Sequence, residues 1–124
     1  MSKPGYSGVN RIVKATRYSM QGLRAAWQHE SAFRQECTAA LVLMPCAFLL
    51  AESLGQAALL IAVCIAVLVT ELLNSAVEAV VDRVSEEHHQ LAGRAKDMGS
   101  AAVLLSILMM LSTWVLVAVQ RLTH

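Results

Sequence analysis

The chain has 124 residues, 56% of them hydrophobic, with a mean hydropathy of +0.54. That length allows one domain, and the composition is too apolar for an ordinary soluble one. Ten Lys and Arg against nine Asp and Glu leave a formal charge of +1; this gives no argument for a polyanion, and nucleic acid is not expected as a partner.

Residues 1–8, with Pro4, Gly5 and Gly8, read as a flexible tail without the apolar stretch of a signal peptide. Residues 9–31 have helical period. Val9, Ile12, Val13, Met20, Leu23 and Trp27 share one face, and Arg11, Lys14, Arg17, Tyr18, Gln21 and Arg24 take the other. A basic amphipathic helix with a Trp on its apolar side suits the membrane surface. The alternative, a helix packed on a soluble core, fits poorly beside the apolar runs that follow.

Those runs make residues 32–124 a transmembrane domain with spans at about 34–51, 57–82 and 98–119. The first is short, so Arg34 and Glu36 are expected at the interface with their stems along the apolar surface. Pro45 lies inside it, which a helix bundle tolerates. Residues 52–56 form a tight polar link. The third span has no charge from Met98 to Val119. The fold class is therefore an all-α membrane protein with three transmembrane helices behind a surface helix. Lys and Arg concentrate before the first span and between the last two. The positive-inside rule then places the N-terminus and the 83–97 connection in the cytoplasm, and the 52–56 link outside.

Cys37, Cys46 and Cys64 have no metal-ligand spacing and read as small buried hydrophobes. His88 and His89 are adjacent, so on a helix they diverge and make a poor metal pair. Trp27 and Trp114 read from chemistry alone as interface anchors. Ser100 and Ser106 read as helix-packing residues. Glu36 and Glu52 read as solvated interfacial acids.

The second span carries the unusual pattern. Glu71, Asn74, Glu78 and Asp82 recur at helical spacing on one face about 80° wide, with Ser75 beside them. An ionisable side chain within a span costs at least ~2.5 kcal/mol, so such residues are functional by default and face the bundle interior. Counting from Asp82, Glu78 lies ~6 Å and Glu71 ~16 Å deeper at 1.5 Å per residue. The column thus runs from headgroup level, where Glu30 also falls, into the membrane. Paired carboxylates at the interface suit a divalent cation shared with phosphate. Lys96 supplies the opposite charge, although charge alone makes it an anchor. No GxxxxGK[ST], HRD, DFG or GxSxG motif occurs. From the residues alone an enzyme, a proton or cation pathway and a polar assembly interface all remain open.

A resemblance narrows this. The segments Glu71-Leu72-Leu73-Asn74-Ser75-Ala76-Val77-Glu78-Ala79-Val80-Val81-Asp82-Arg83 and Gly93-Arg94-Ala95-Lys96-Asp97-Met98-Gly99-Ser100 resemble the signatures of the prokaryotic integral-membrane diacylglycerol kinases. So do Gly22-Leu23-Arg24-Ala25-Ala26-Trp27, Glu30 and Ala32-Phe33-Arg34-Gln35-Glu36. The resemblance implies a homotrimer in the bacterial inner membrane that phosphorylates diacylglycerol with ATP and Mg²⁺. It implies Glu71 as general base and Glu30 and Glu78 as ligands of the cation. Arg11, Tyr18, Glu30, Glu78, Glu87, His88, His89, Lys96 and Asp97 would form the ATP site. Arg11, Ser19, Arg24, Ala25, Ala26, Trp27, Ala32, Phe33, Arg34, Gln35, Glu36, Glu71, Ser100 and Trp114 would face the lipid. Asn74 and Asp82 would support the column. An undecaprenol kinase is the alternative within the resemblance, and a proton or cation pathway the alternative outside it.

Overall fold

Four helices follow one another along the chain, α1 (Val9–His29), α2 (Ser31–Leu50), α3 (Leu54–Val84) and α4 (Gln90–Thr123). The computed structural model describes residues 7–84 and 90–124. Three of the helices, α2, α3 and α4, are long and apolar enough to cross a membrane, each with an 18-residue stretch whose mean hydropathy is 1.3, 2.4 and 2.5 respectively. At 34 residues, α4 extends ~50 Å, against the ~30 Å of a hydrocarbon core, so its ends project beyond the apolar layer. That projection carries Lys96 and Asp97 on the same rigid rod as the third span.

Local chemistry sets the joints. Gly8 stands before α1 at φ +52°, a backbone conformation open to glycine. Glu30 separates α1 from α2 as a single extended residue, φ −118°, ψ 104°. Its N–H donates to Ala26 O at 2.9 Å, and its own carbonyl accepts from Arg34 N–H at 3.2 Å. The Arg34 guanidinium reaches back from α2, with Nη1 donating to Trp27 O at 2.7 Å and to Gln28 O at 3.3 Å. Those carbonyls belong to the last turn of α1, which has no helical donors left for them. Arg34 therefore braces the corner, and Glu30 is held at its apex.

At the other end α3 starts with a reciprocal cap. Gln56 N–H donates to Ser53 Oγ at 3.1 Å, and Glu52 N–H donates to Gln56 Oε1 at 2.9 Å. This is a Ser-x-x-Gln capping box with the return bond shifted by one residue. It starts α3 at Leu54, so Gly55 lies in a helix where the sequence suggests a link.

The core lies on one line of α3. Ala57, Leu60, Val63, Cys64, Val67 and Glu71 are its buried residues; apart from the adjacent Val63 and Cys64 they recur by three and four, so they form one stripe. α3 packs most extensively on α4 and next on α2. Ala47 of α2, Leu60 of α3 and Val117 of α4 form the buried cluster, with Trp114 against it. Trp114 Nε1–H donates to Leu60 O at 3.2 Å, and Gln56 Nε2 donates to Gln120 Oε1 at 3.1 Å. Both bonds tie α3 to α4. Trp114→Phe keeps most of the ring area and removes one bond, so it should destabilise the bundle by about 0.6–1.5 kcal/mol. Thermal loss of helicity in detergent measures this; an unchanged midpoint means the bond adds nothing.

The cysteines are free thiols with different surroundings. Cys64 is buried and Cys37 half-buried, whereas Cys46 is exposed. The expectation of three buried cysteines is corrected for Cys46. The buried stripe of α2 passes through Ala47, and the preceding residue is rotated about 100° away from it.

Candidate active site

The buried stripe of α3 continues without a break into the acidic column. Leu60, Cys64 and Val67 lead to Glu71, then to Asn74, Glu78 and Asp82, always by steps of three or four. The rotation that buries the apolar core therefore also turns Glu71 inward, with Asn74 and Glu78 half-buried after it and Asp82 exposed at the end. Glu71 is only 7% exposed, and its Oε2 has no hydrogen-bond partner among the described residues. Asn74 Nδ2 donates to Glu78 Oε1 at 3.2 Å, whereas Asn74 Oδ1 is buried and has no donor among the described residues. At the end of the column the Lys96 ammonium of α4 lies 2.6 Å from Asp82 Oδ1. Both partners are exposed, so the pair links α4 to α3 but adds little to the stability of the fold.

Acids from α2, α3 and the α1–α2 corner come together here. The charges of Glu78 and Glu30 both act on Glu71, and that of Glu71 acts on Glu36. Lys96 feels Glu78 as well as Asp82. Glu30, at the α1–α2 apex, is near enough for its charge to act on Glu71. The reading of Glu36 as a solvated interfacial acid is corrected. It is half-buried, its Oε2 has no hydrogen-bond partner among the described residues, and it lines a cavity of about 120 Å³ with Cys64, Val67 and Met110. It lies three residues after the buried Phe33, on the inner side of α2. Glu52, by contrast, is exposed.

The donor set is oxygen only. Among the described residues no group of three or more His, Cys, Asp and Glu could hold a metal ion. A zinc-type cage is not what such a site needs. Mg²⁺ is usually held by one or two carboxylates while substrate phosphates complete its shell. Glu30 and Glu78, whose charges both act on Glu71, are carboxylates of that kind.

The other expected residues divide. Ser19, Ala25 and Ala26 line a cavity of about 550 Å³ between α1 and α3, facing Leu72, Ser75, Ala76 and Ala79. Phe33 is buried in the first turn of α2, Ala32 is half-buried, and Gln35 is exposed. Arg11, Tyr18, Arg24 and Trp27 are exposed on α1, as are Asp97 and Ser100 on α4. Trp114 stands apart. It bonds Leu60, eleven residues from Glu71, a separation of ~16 Å along the helix. Glu87, His88 and His89 lie outside the described residues.

The family model for prokaryotic diacylglycerol kinase matches residues 17–118. The chain belongs to the prokaryotic diacylglycerol kinase family. A diacylglycerol kinase of Pseudomonas aeruginosa is 53% identical over 110 residues, covering 89% of each chain. One from Escherichia coli K12 is 52% identical over 108 residues, covering 87% of this chain and 88% of its own. One from Haemophilus influenzae is 44% identical over 108 residues, 87% and 92% of the two chains. With three apolar helices of spanning length, this member of the diacylglycerol kinase family is a multi-pass membrane protein. The matched stretch contains Glu30, the whole column, Lys96 and Asp97; Arg11 precedes it.

Two features of the site escape a reading of the residues alone. Arg34 holds the corner that presents Glu30, and Gly99 lies against Asn74. Sequence offers only a weak signal for either: a cation four residues after the break, and a glycine within an apolar helix.

Proposed function

We propose that this protein transfers the γ-phosphoryl group of ATP to the free hydroxyl of diacylglycerol, giving phosphatidic acid. The observation that carries the reading is Glu71, an almost fully buried acid in mid-span with an oxygen that has no hydrogen-bond partner among the described residues. It lies on the same line as Asn74, Glu78 and Asp82, which lead to the cationic start of α4. A bilayer-bound alcohol and a water-soluble nucleotide can meet along that line.

The roles follow from position. Glu71 takes the proton of the lipid hydroxyl as its oxygen attacks the γ-phosphorus and the bond to ADP breaks. Burial away from water suits a carboxylate that must accept a proton from an alcohol. Glu30 and Glu78 would hold Mg²⁺, which when bound neutralises phosphate charge. Lys96 offers a further point charge to the phosphates, while Asp97, Tyr18, Arg11 and the 87–89 segment complete the nucleotide side. Phosphoryl transfer asks mainly for positioning and charge neutralisation. Ser19, Ala25 and Ala26 of α1, across from Ala76 and Ala79, provide a lipid-side opening next to the column.

The exposed apolar residues Val9, Ile12, Val13, Met20, Leu23 and Trp27 support α1 as an amphipathic helix lying on the bilayer. The Lys and Arg distribution supports a cytoplasmic N-terminus and a bacterial inner membrane. Three spans are thin cover for a column of acids, which supports a homotrimer in which neighbouring copies shield it.

Purified protein in detergent, given labelled ATP, Mg²⁺ and either diacylglycerol or undecaprenol, tests the reading. Label should enter phosphatidic acid in preference. A preference for the polyprenol moves the protein to the other substrate. Cation flux in proteoliposomes without ATP, with no lipid phosphorylated, moves it to another class.

A further inference from the structure

Gly99 lies where α4 crosses α3. A methyl group on it would run into Asn74 Oδ1 and come 3.2 Å from Asn74 Cγ and 3.9 Å from Asn74 Cα. Small residues allow such approaches between membrane helices. Glycine is otherwise a poor helix residue, so its place here needs a reason beyond the helix itself.

Asn74 supplies the reason. Its carboxamide has two ends, and the Glu78 carboxylate accepts only from the NH₂ end. That bond, Nδ2 to Oε1 at 3.2 Å, turns Oδ1 the other way, onto the bare Cα of Gly99. Oδ1 is buried there and has no donor among the described residues. The Cα–H of glycine is a tolerable weak neighbour for such an oxygen. A side chain is not, and rotating the carboxamide away from it breaks the bond to Glu78. One turn earlier on the same helix, Lys96 meets Asp82, so α4 cannot slide to make room without losing that pair.

We propose that Gly99 is a positioning residue: its missing side chain seats the Asn74 carboxamide, and Asn74 then holds the Glu78 carboxylate toward the cation and phosphates. This rests on the kinase reading for its catalytic consequence, whereas the seating itself is a property of the resting protein.

The test uses the full-length protein in detergent or bicelles. Gly99→Ala should lower the rate of lipid phosphorylation by about 10²-fold, as a misplacement of ~1 Å can. It should raise the Mg²⁺ concentration for half-maximal rate and leave the KM for lipid unchanged. Asn74→Ala removes the group that collides, so Asn74→Ala/Gly99→Ala should match Asn74→Ala alone. This double variant also serves if the single one folds poorly. Gly55→Ala, whose methyl would meet only Ser53 Oγ at 3.8 Å, is the control with unchanged rate. The side-chain amide resonance of Asn74, recorded without nucleotide, should shift in Gly99→Ala. Wild-type rate and Mg²⁺ response in Gly99→Ala, or an unmoved Asn74 resonance, would overturn the proposal. So would a double variant far slower than Asn74→Ala. Wild-type protein that phosphorylates no lipid would defeat the kinase reading instead, and the resonance would still decide the seating.

Discussion

Glu71→Gln is expected to lower lipid phosphorylation by about 10²–10⁴-fold, the usual contribution of a general base, while ATP still binds. Glutamine has nearly the shape of glutamate, and Glu71 Oε2 accepts no hydrogen bond within the described chain that the change would remove. The fold has little to lose. It should even gain, because an acid buried within a span is costly and its amide is not ionised. Apparent thermal stability should therefore stay level or rise as activity disappears, the trade expected where a strained or costly group serves function. ATP affinity should persist because Glu71 lies ~16 Å along the helix from Asp82, at the lipid end of the column. Equilibrium binding of a non-hydrolysable ATP analogue, beside the phosphorylation assay, measures both. If the analogue no longer binds, Glu71 belongs with the cation and nucleotide, and another group must accept the proton.

The features that could be read from sequence are those set by a single helix. The apolar runs marked three spans because hydropathy is local. The column from Glu71 to Asp82 was visible because steps of three and four define a face without reference to any neighbour. The features that could not be read depend on how one helix meets another. Glu36 looked interfacial because it sits near the start of a short apolar run. Only the rotation of α2 that buries Phe33 and Ala47 turns it toward Glu71. Arg34 looked like a cation snorkelling from a span. Its bonds to Trp27 and Gln28 carbonyls exist because the chain bends at Glu30, and no propensity in that stretch announces the bend. Gly99 was one small residue among several, and the collision with Asn74 appears only once α4 lies on α3. The cap of α3 is different. Ser53 and Gln56 have capping-box spacing, and that signal would have moved the helix start to Leu54.

Glu78→Gln is expected to act on a different quantity, the Mg²⁺ requirement. Glu78 accepts from Asn74 Nδ2 through Oε1, and a glutamine oxygen can accept the same bond. The local packing and the seat of Asn74 should survive, and only the negative charge is lost. A hard cation held by carboxylate and phosphate oxygens depends on that charge. The Mg²⁺ concentration for half-maximal rate should therefore rise by about 10–100-fold, the range seen when metal-site support is weakened. The maximal rate should fall too, yet high Mg²⁺ should restore part of it. In Glu71→Gln added Mg²⁺ should restore nothing, since a missing base cannot be replaced by mass action. Titrating Mg²⁺ against rate in the two variants thus separates a ligand from a base within one column. If Glu78→Gln keeps the wild-type Mg²⁺ curve, the cation is held elsewhere, and Glu30 with the phosphates becomes the remaining site. If both variants shift that curve alike, the two acids bind one cation between them, and the proton must leave the lipid hydroxyl by way of a third acid, with Glu36 beside Glu71 the nearest choice.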